Sequence, residues 1–211
     1  MNKSIKEIKL AAFRYWFEDG LSEIVVGTLF LLIGLLIQAE TLILPGSFLA
    51  GTSGLASFIL VVVGVWLARR VIRSLKERLT YPRTGYVDYH KGHPVPRVLT
   101  PVIGAFIAAI LVWLIKTYPQ TSPVWIPLFQ GIVLAIFLLV IGLRSGLVRF
   151  HILALITLLF SLGLSQLTNR ETVTVGITFA AFGLGLTLSG LIALRRYLQG
   201  TRAQQEVIHG E

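Results

Sequence analysis

The chain has 211 residues, of which 55% are hydrophobic and only 14% charged, against about a quarter charged in an average soluble domain. Nineteen Lys and Arg face ten Asp and Glu, giving a net charge of +9 and a mean hydropathy of +0.78. This balance excludes a soluble enzyme, a disordered chain and a nucleic-acid-binding domain, and the absence of cysteine excludes thiol catalysis, thiolate-held zinc, iron–sulfur clusters and disulfides.

Residues 1–20 come first. Ile5, Ile8, Ala12 and Trp16 recur at helical spacing, with Lys6, Lys9 and Arg14 on other faces. Tyr15, Trp16 and Phe17 stand where an aromatic belt belongs, so a basic interfacial helix on the inner leaflet is expected. The first apolar run is full length and lacks a small-x-small cleavage pattern, so it is read as a retained helix.

A spanning helix needs roughly 20 predominantly apolar residues. Six stretches qualify: 21–39, 47–68, 99–115, 124–143, 150–167 and 173–194. None contains Asp, Lys or Arg, and Glu23 is their only Glu. The expected fold is therefore an all-α, integral membrane six-helix bundle over 21–194, with a cytosolic loop at 69–98 and a cytosolic tail at 195–211. Orientation follows from Lys and Arg: 17 of the 19 fall in the N-terminal segment, the second and fourth loops and the tail. Only Lys116 and Arg170 fall on the other side, so both termini are expected in the cytosol.

The second loop begins as RRVIRSLKERL, with Val71, Ile72, Leu75 and Leu79 on one stripe, so span two is expected to continue as a basic amphipathic extension. Its second half is broken by Pro82, Gly85, Gly92, Pro94 and Pro96 and reads as irregular. The tail is expected to fray beyond Gln199.

Two segments, RYWFEDGLSEIVVG (14–27) and TYPRTGYVDY (80–89), resemble motifs of small uncharacterised bacterial multi-pass membrane proteins. The resemblance implies a bacterial inner (plasma) membrane location and carries no activity, cofactor or catalytic residue. Span six also echoes span one: Val26-Gly27, Phe30 and Gly34-Leu35 match Val175-Gly176, Phe179 and Gly183-Leu184. Span four matches span one around Ile-Gly-Leu (33–35 and 141–143), which would imply an inverted repeat and a transporter architecture. The two echoes imply incompatible repeats.

Glu18, Asp19 and Glu23 form a carboxylate cluster at the cytosolic start of span one. Such a cluster suits cation binding or acid–base work, but capping by Asp19 or Ser22 and pairing with Arg83 or Arg97 explain it more simply. Asp88, His90 and His93 offer three metal ligands without a fourth nearby and read as solvated loop residues, so no metal or cofactor is expected. Arg69, Arg70, Arg73, Arg78, Arg83 and Tyr86 are the expected contacts to anionic lipid or to a protein partner at the second loop. Gly176, Gly183 and Gly190 recur every seventh residue, and Ala181, Gly185 and Ser189 every fourth, so span six is expected to pack tightly. An intramolecular bundle or a homo-oligomer would satisfy both stripes.

No nucleotide-binding, hydrolase or metalloprotease motif can be assembled, and no ionisable group lies deep in any span. The expected role is a non-enzymatic accessory or interaction protein. The alternative is a small transporter or permease subunit for an apolar or neutral solute, which a dry, glycine-packed centre would make improbable.

Overall fold

The computed structural model describes residues 14, 16–42, 48–79, 117, 122–167 and 171–209. Among these the chain is all-helical, with no strand. Five helices are described: α1 (Leu21–Glu40), α2 (Phe48–Leu79), α3 (Ser122–Ser145), α4 (Val148–Leu167) and α5 (Glu171–His209). Arg14 and residues 16–18 are also helical, whereas the rest of the expected interfacial helix, the expected span 99–115, and Arg83, Tyr86, Asp88, His90 and His93 lie outside the described residues.

Four helices, α1, α3, α4 and α5, are long and apolar enough to cross a membrane. Much of their apolar surface is uncovered. Leu35, Ile136, Leu155, Leu188 and Ile192 are each about half exposed, and Trp66 on α2 is more so. Uncovered bands of this kind suit hydrocarbon surroundings far better than water.

The ends of the helices follow local chemistry. Gly20 enters α1 with φ +70°, a left-handed conformation that glycine adopts without steric cost. Gly146 (φ +67°) turns α3 into α4, donating its N–H to the Gly142 carbonyl at 2.8 Å in an αL-type helix end. At the far end of α1 the Thr41 hydroxyl donates to the Gln38 carbonyl at 2.7 Å. The amphipathic extension expected after span two is an uninterrupted continuation of α2 to Leu79. The expected fraying after Gln199 is not what the structure has: α5 runs to His209. Its last stretch, RRYLQGTRAQQEVIH, contains no proline and has three Arg and three Gln, both good helix formers.

The closest packing is between α1 and α5, which run antiparallel. A Cβ on Gly190 would come 2.7 Å from the Gly20 carbonyl oxygen. One on Gly183 would come 2.5 Å from the Gly27 carbonyl oxygen, and one on Gly176 would reach 3.1 Å from that of Gly34. Glycine thus faces glycine three times, on heptad positions 20, 27, 34 and 176, 183, 190, so the two backbones touch directly. Phe30 sits between the contacts, against Phe179 (ring centroids 5.7 Å apart) and edge-on to Phe182 (5.0 Å). The echo between spans one and six is therefore the signature of one self-complementary seam: both helices carry Gly-x-x-Phe-x-x-x-Gly because they meet each other.

α3 and α4 form an antiparallel hairpin, and the core lies where it meets α5. Leu134, Ala135, Leu138, Phe150, Ala154, Phe182 and Leu186 are buried together there, with Val26 and Phe30 of α1 against them. Near one end of the bundle two glutamine amides bridge helices through backbone carbonyls. Gln38 donates to Val173 at 2.5 Å and Gln130 to Val175 at 3.3 Å. Thr178 and Thr187 return their hydroxyl protons to the carbonyls of Thr174 and Gly183, each at 2.8 Å, which satisfies them inside an apolar interface.

Candidate functional site

At the opposite end of the bundle the structure gathers its buried charges. Asp19 stands just before the start of α1, on the far side of the Gly20 turn, and Glu23 lies in the first turn of the helix. Asp19 accepts the Leu21 N–H at 3.1 Å on Oδ1, which gives the helix start the side-chain acceptor that Gly20 cannot supply. Its Oδ2 lies 2.8 Å from Lys76 Nζ on α2, and the two side chains are 1% and 2% exposed. Lys76 also donates to the Trp16 carbonyl at 2.7 Å, and its ammonium sits 4.4 Å from the centroid of the Trp16 ring. A buried ammonium is tolerable only when its donors are used and its charge is compensated, and Trp16 and Asp19 supply both.

Glu23 makes the second junction. Its Oε1 takes an N–H from Arg149 of α4 at 2.5 Å, and its Oε2 accepts the Ser189 hydroxyl of α5 at 3.0 Å. The same Arg149 nitrogen donates to the Phe17 carbonyl, and the Phe17 and Phe150 rings meet edge-on at 5.5 Å. One turn of α1 and the residues before it are thus bonded to α2, α4 and α5. Removing either partner of such a buried pair strands a charge and costs about 3–5 kcal/mol. Asp19 and Glu23 thus each tie the start of α1 to a neighbouring helix.

Two partners of these carboxylates are among the described residues. Asp19 pairs with Lys76 and Glu23 with Arg149, whereas Arg83 and Arg97 lie outside the described residues. Glu18 is exposed and Ser22 is buried with its hydroxyl unpartnered among the described residues. Lys76 was legible in principle: it follows Ile72 by four residues and so falls on the apolar stripe of the extension. For Arg149 the only signal was its place directly before Phe150 in a loop too short to carry it away from the bundle.

The remaining cations described at this end are outward. Arg69, Arg70, Arg73 and Arg78 on α2, Arg144 at the end of α3, and Arg195 and Arg196 on α5 are all exposed. Arg70 lies 5.6 Å from the centroid of the Trp66 ring, a cation–aromatic pair suited to a hydrocarbon–water boundary. Because the acids Asp19 and Glu23 are neutralised internally, they do not offset these arginines. Among the described residues no group of three or more His, Asp or Glu is placed to hold a metal ion.

Midway along the helices, between α4 and α5 and above Leu138 of α3, lies a cavity of about 80 Å³. Leu153, Ile156, Phe160, Phe182 and Leu186 make most of its wall, with the hydroxyl-bearing Thr157 and Thr178 among them. Comparison of the chain with protein-family models, with curated proteins and with solved structures gave no match.

Proposed function

We propose that this is a six-span membrane protein with both termini in the cytosol, whose cytosolic end holds anionic lipid, or a partner protein, through a ring of arginines. The observation that carries this reading is the separation of charge at that end. The two buried acids are paired within the bundle, Asp19 with the buried Lys76 and Glu23 with the part-buried Arg149, which leaves Arg69, Arg70, Arg73, Arg78, Arg144, Arg195 and Arg196 as an outward, net positive rim. Each basic residue near an anionic leaflet contributes about 1 kcal/mol, so several on rigid helical extensions form a strong site.

The six-span count is supported by helix direction. α1 and α2 are antiparallel, since Asp19 meets Lys76 while Gly64 packs on Leu29. Both α2 and α3 run toward the charged end, because α3 ends where Arg149 and Phe150 meet α1. Two consecutive parallel helices require the 80–121 connection to return across the bundle, and 99–115 is its only long uncharged apolar stretch. The placement of 17 of 19 Lys and Arg favours the cytosol for the charged end, and the two motif resemblances favour a bacterial inner membrane. An accessory role is preferred to transport because α1 and α5 meet backbone to backbone at their midpoints and the cavity beside them is only about 80 Å³.

The test is lipid retention. Protein purified in mild detergent from a membrane of mixed lipids should carry anionic phospholipid in excess over its membrane abundance. The R69Q/R70Q/R73Q/R78Q variant should lose most of that excess while melting at the wild-type temperature. Equal anionic enrichment in both proteins would refute the arginine site.

A further inference from the structure

We infer that the cavity between α4 and α5 is a binding site for the end of one lipid acyl chain. The inference rests on the reading that these helices cross a bilayer, and it names a ligand and a site apart from the arginine rim.

Four observations define the occupant. The first is depth: the wall residues 153–160 centre on α4 (Val148–Leu167), so the cavity lies about 15 Å from either face of a ~30 Å hydrocarbon core. Acyl chains reach that depth with their terminal segments, and headgroups do not. The second is the wall. It is mostly leucine, isoleucine and phenylalanine; of its two hydroxyls Thr178's has its proton committed to the Thr174 carbonyl, and Thr157's is a single group where a bound water needs about two to four partners. An apolar cavity of this kind stays dry, so water does not fill it.

The third is access. Ile156 and Phe160 stand at the cavity and are also 56% and 41% exposed on the outer surface, so the space opens sideways, where lipid tails would lie. The fourth is size. About 80 Å³ is roughly half of the ~150 Å³ apolar cavity that accepts benzene, which suits a linear chain end better than a ring system.

The cavity is not the ordinary consequence of small residues on α5. The same helix closes to backbone contact on α1, where a Cβ on Gly183 would lie 2.5 Å from a carbonyl oxygen. On the α4 side a Cβ on Gly185 would meet only Leu153 Cδ2, at an ordinary 3.5 Å. Leu153 and its neighbours hold α4 off, and the space so kept is at the one depth where a chain end is always at hand.

The experiment uses full-length protein in detergent, titrated with a phosphatidylcholine carrying a photoreactive diazirine near the end of one acyl chain. Labelled residues are located by mass spectrometry. Labelling at Ile156, Phe160 and Ala181 should saturate near one lipid per protein and fall at least fivefold under excess unlabelled phosphatidylcholine. Labelling on the exposed face of α2, at Val62 and Trp66, should rise linearly and resist competition. Gly185→Leu, which places a side chain into the cavity, should remove the saturable part and leave the α2 labelling unchanged. Should that variant fail to fold, the wild-type saturation and competition curves decide alone. Linear, uncompeted labelling at the cavity would overturn the site while leaving the membrane reading intact. Absence of labelling on both faces would overturn the membrane reading and the site with it.

Discussion

Replacing Gly183 by alanine tests the packing that organises the bundle. The new Cβ would lie 2.5 Å from the Gly27 carbonyl oxygen and 2.8 Å from Leu31 Cα, and it would also strike the Leu31 nitrogen. All three are backbone atoms, so no side chain can turn aside. Ordinary contact begins near 3.4 Å, so α1 and α5 must separate by about 1 Å along a seam that depends on touching backbones. Overpacking of this kind costs about 1–3 kcal/mol. Glycine to alanine in a helix also brings a favourable propensity change of up to about 1 kcal/mol, which would mask part of the loss. Gly163 on α4 is the control, because a Cβ there meets nothing within 4 Å and brings the same propensity gain. The difference between the two variants therefore isolates the steric cost. At roughly 2–4 °C per kcal/mol for a chain of this size, Gly183→Ala should melt about 2–12 °C below Gly163→Ala in the same detergent. Coincident melting of the two variants would refute backbone contact between α1 and α5.

Three further outcomes follow from the same geometry. Lys76→Met should destabilise the protein by about 3–5 kcal/mol, because Asp19 keeps its burial and loses its cation, and adding Asp19→Asn should recover much of the loss; a double-mutant cycle on thermal melting reads the coupling. Gln38→Leu should cost about 0.5–1.5 kcal/mol through the lost bond to the Val173 carbonyl, and an unchanged melting temperature would remove that bond from the account. Because the chain has no cysteine, single cysteines introduced at Gln199 and at Thr41 can be probed in intact cells with a membrane-impermeant maleimide. Labelling should occur at position 41 and not at 199, and the reverse pattern would invert the proposed orientation.

Much of this architecture was legible because membrane helices announce themselves by length and by the charges that bound them. The span at 21–39 is matched by α1 to within a residue, and the continuation of α2 to Leu79 could be read from the stripe of Ile72, Leu75 and Leu79. The heptad Gly176, Gly183, Gly190 was visible as a close-packing face, but its partner was not. The echo of Gly27 and Gly34 in Gly176 and Gly183 was visible as a likeness between two helices rather than as a contact, and Gly20, before the apolar run, was not part of it. Periodicity identifies a face and is silent on what it meets. The same limit hid the ion pairs, since Lys76 and Arg149 differ from their exposed neighbours only in the helix that happens to stand opposite. The cavity depends on how far α4 is held from α5, a distance that no residue pattern encodes.

The seam between α1 and α5 has a consequence for how the chain is made. Its contacts join residues from 135 to 173 positions apart in sequence, from Gln38 with Val173 to Gly20 with Ala193. At about 5–20 residues per second, synthesis leaves the glycine face of α1 without its partner for roughly ten to thirty seconds. During that interval α1 offers an uncovered small-residue stripe to any helix nearby, including a second newly made copy. The seam is therefore closed only when α5 is made, and truncation or stalled synthesis ahead of α5 leaves a product that lacks its principal backbone contact.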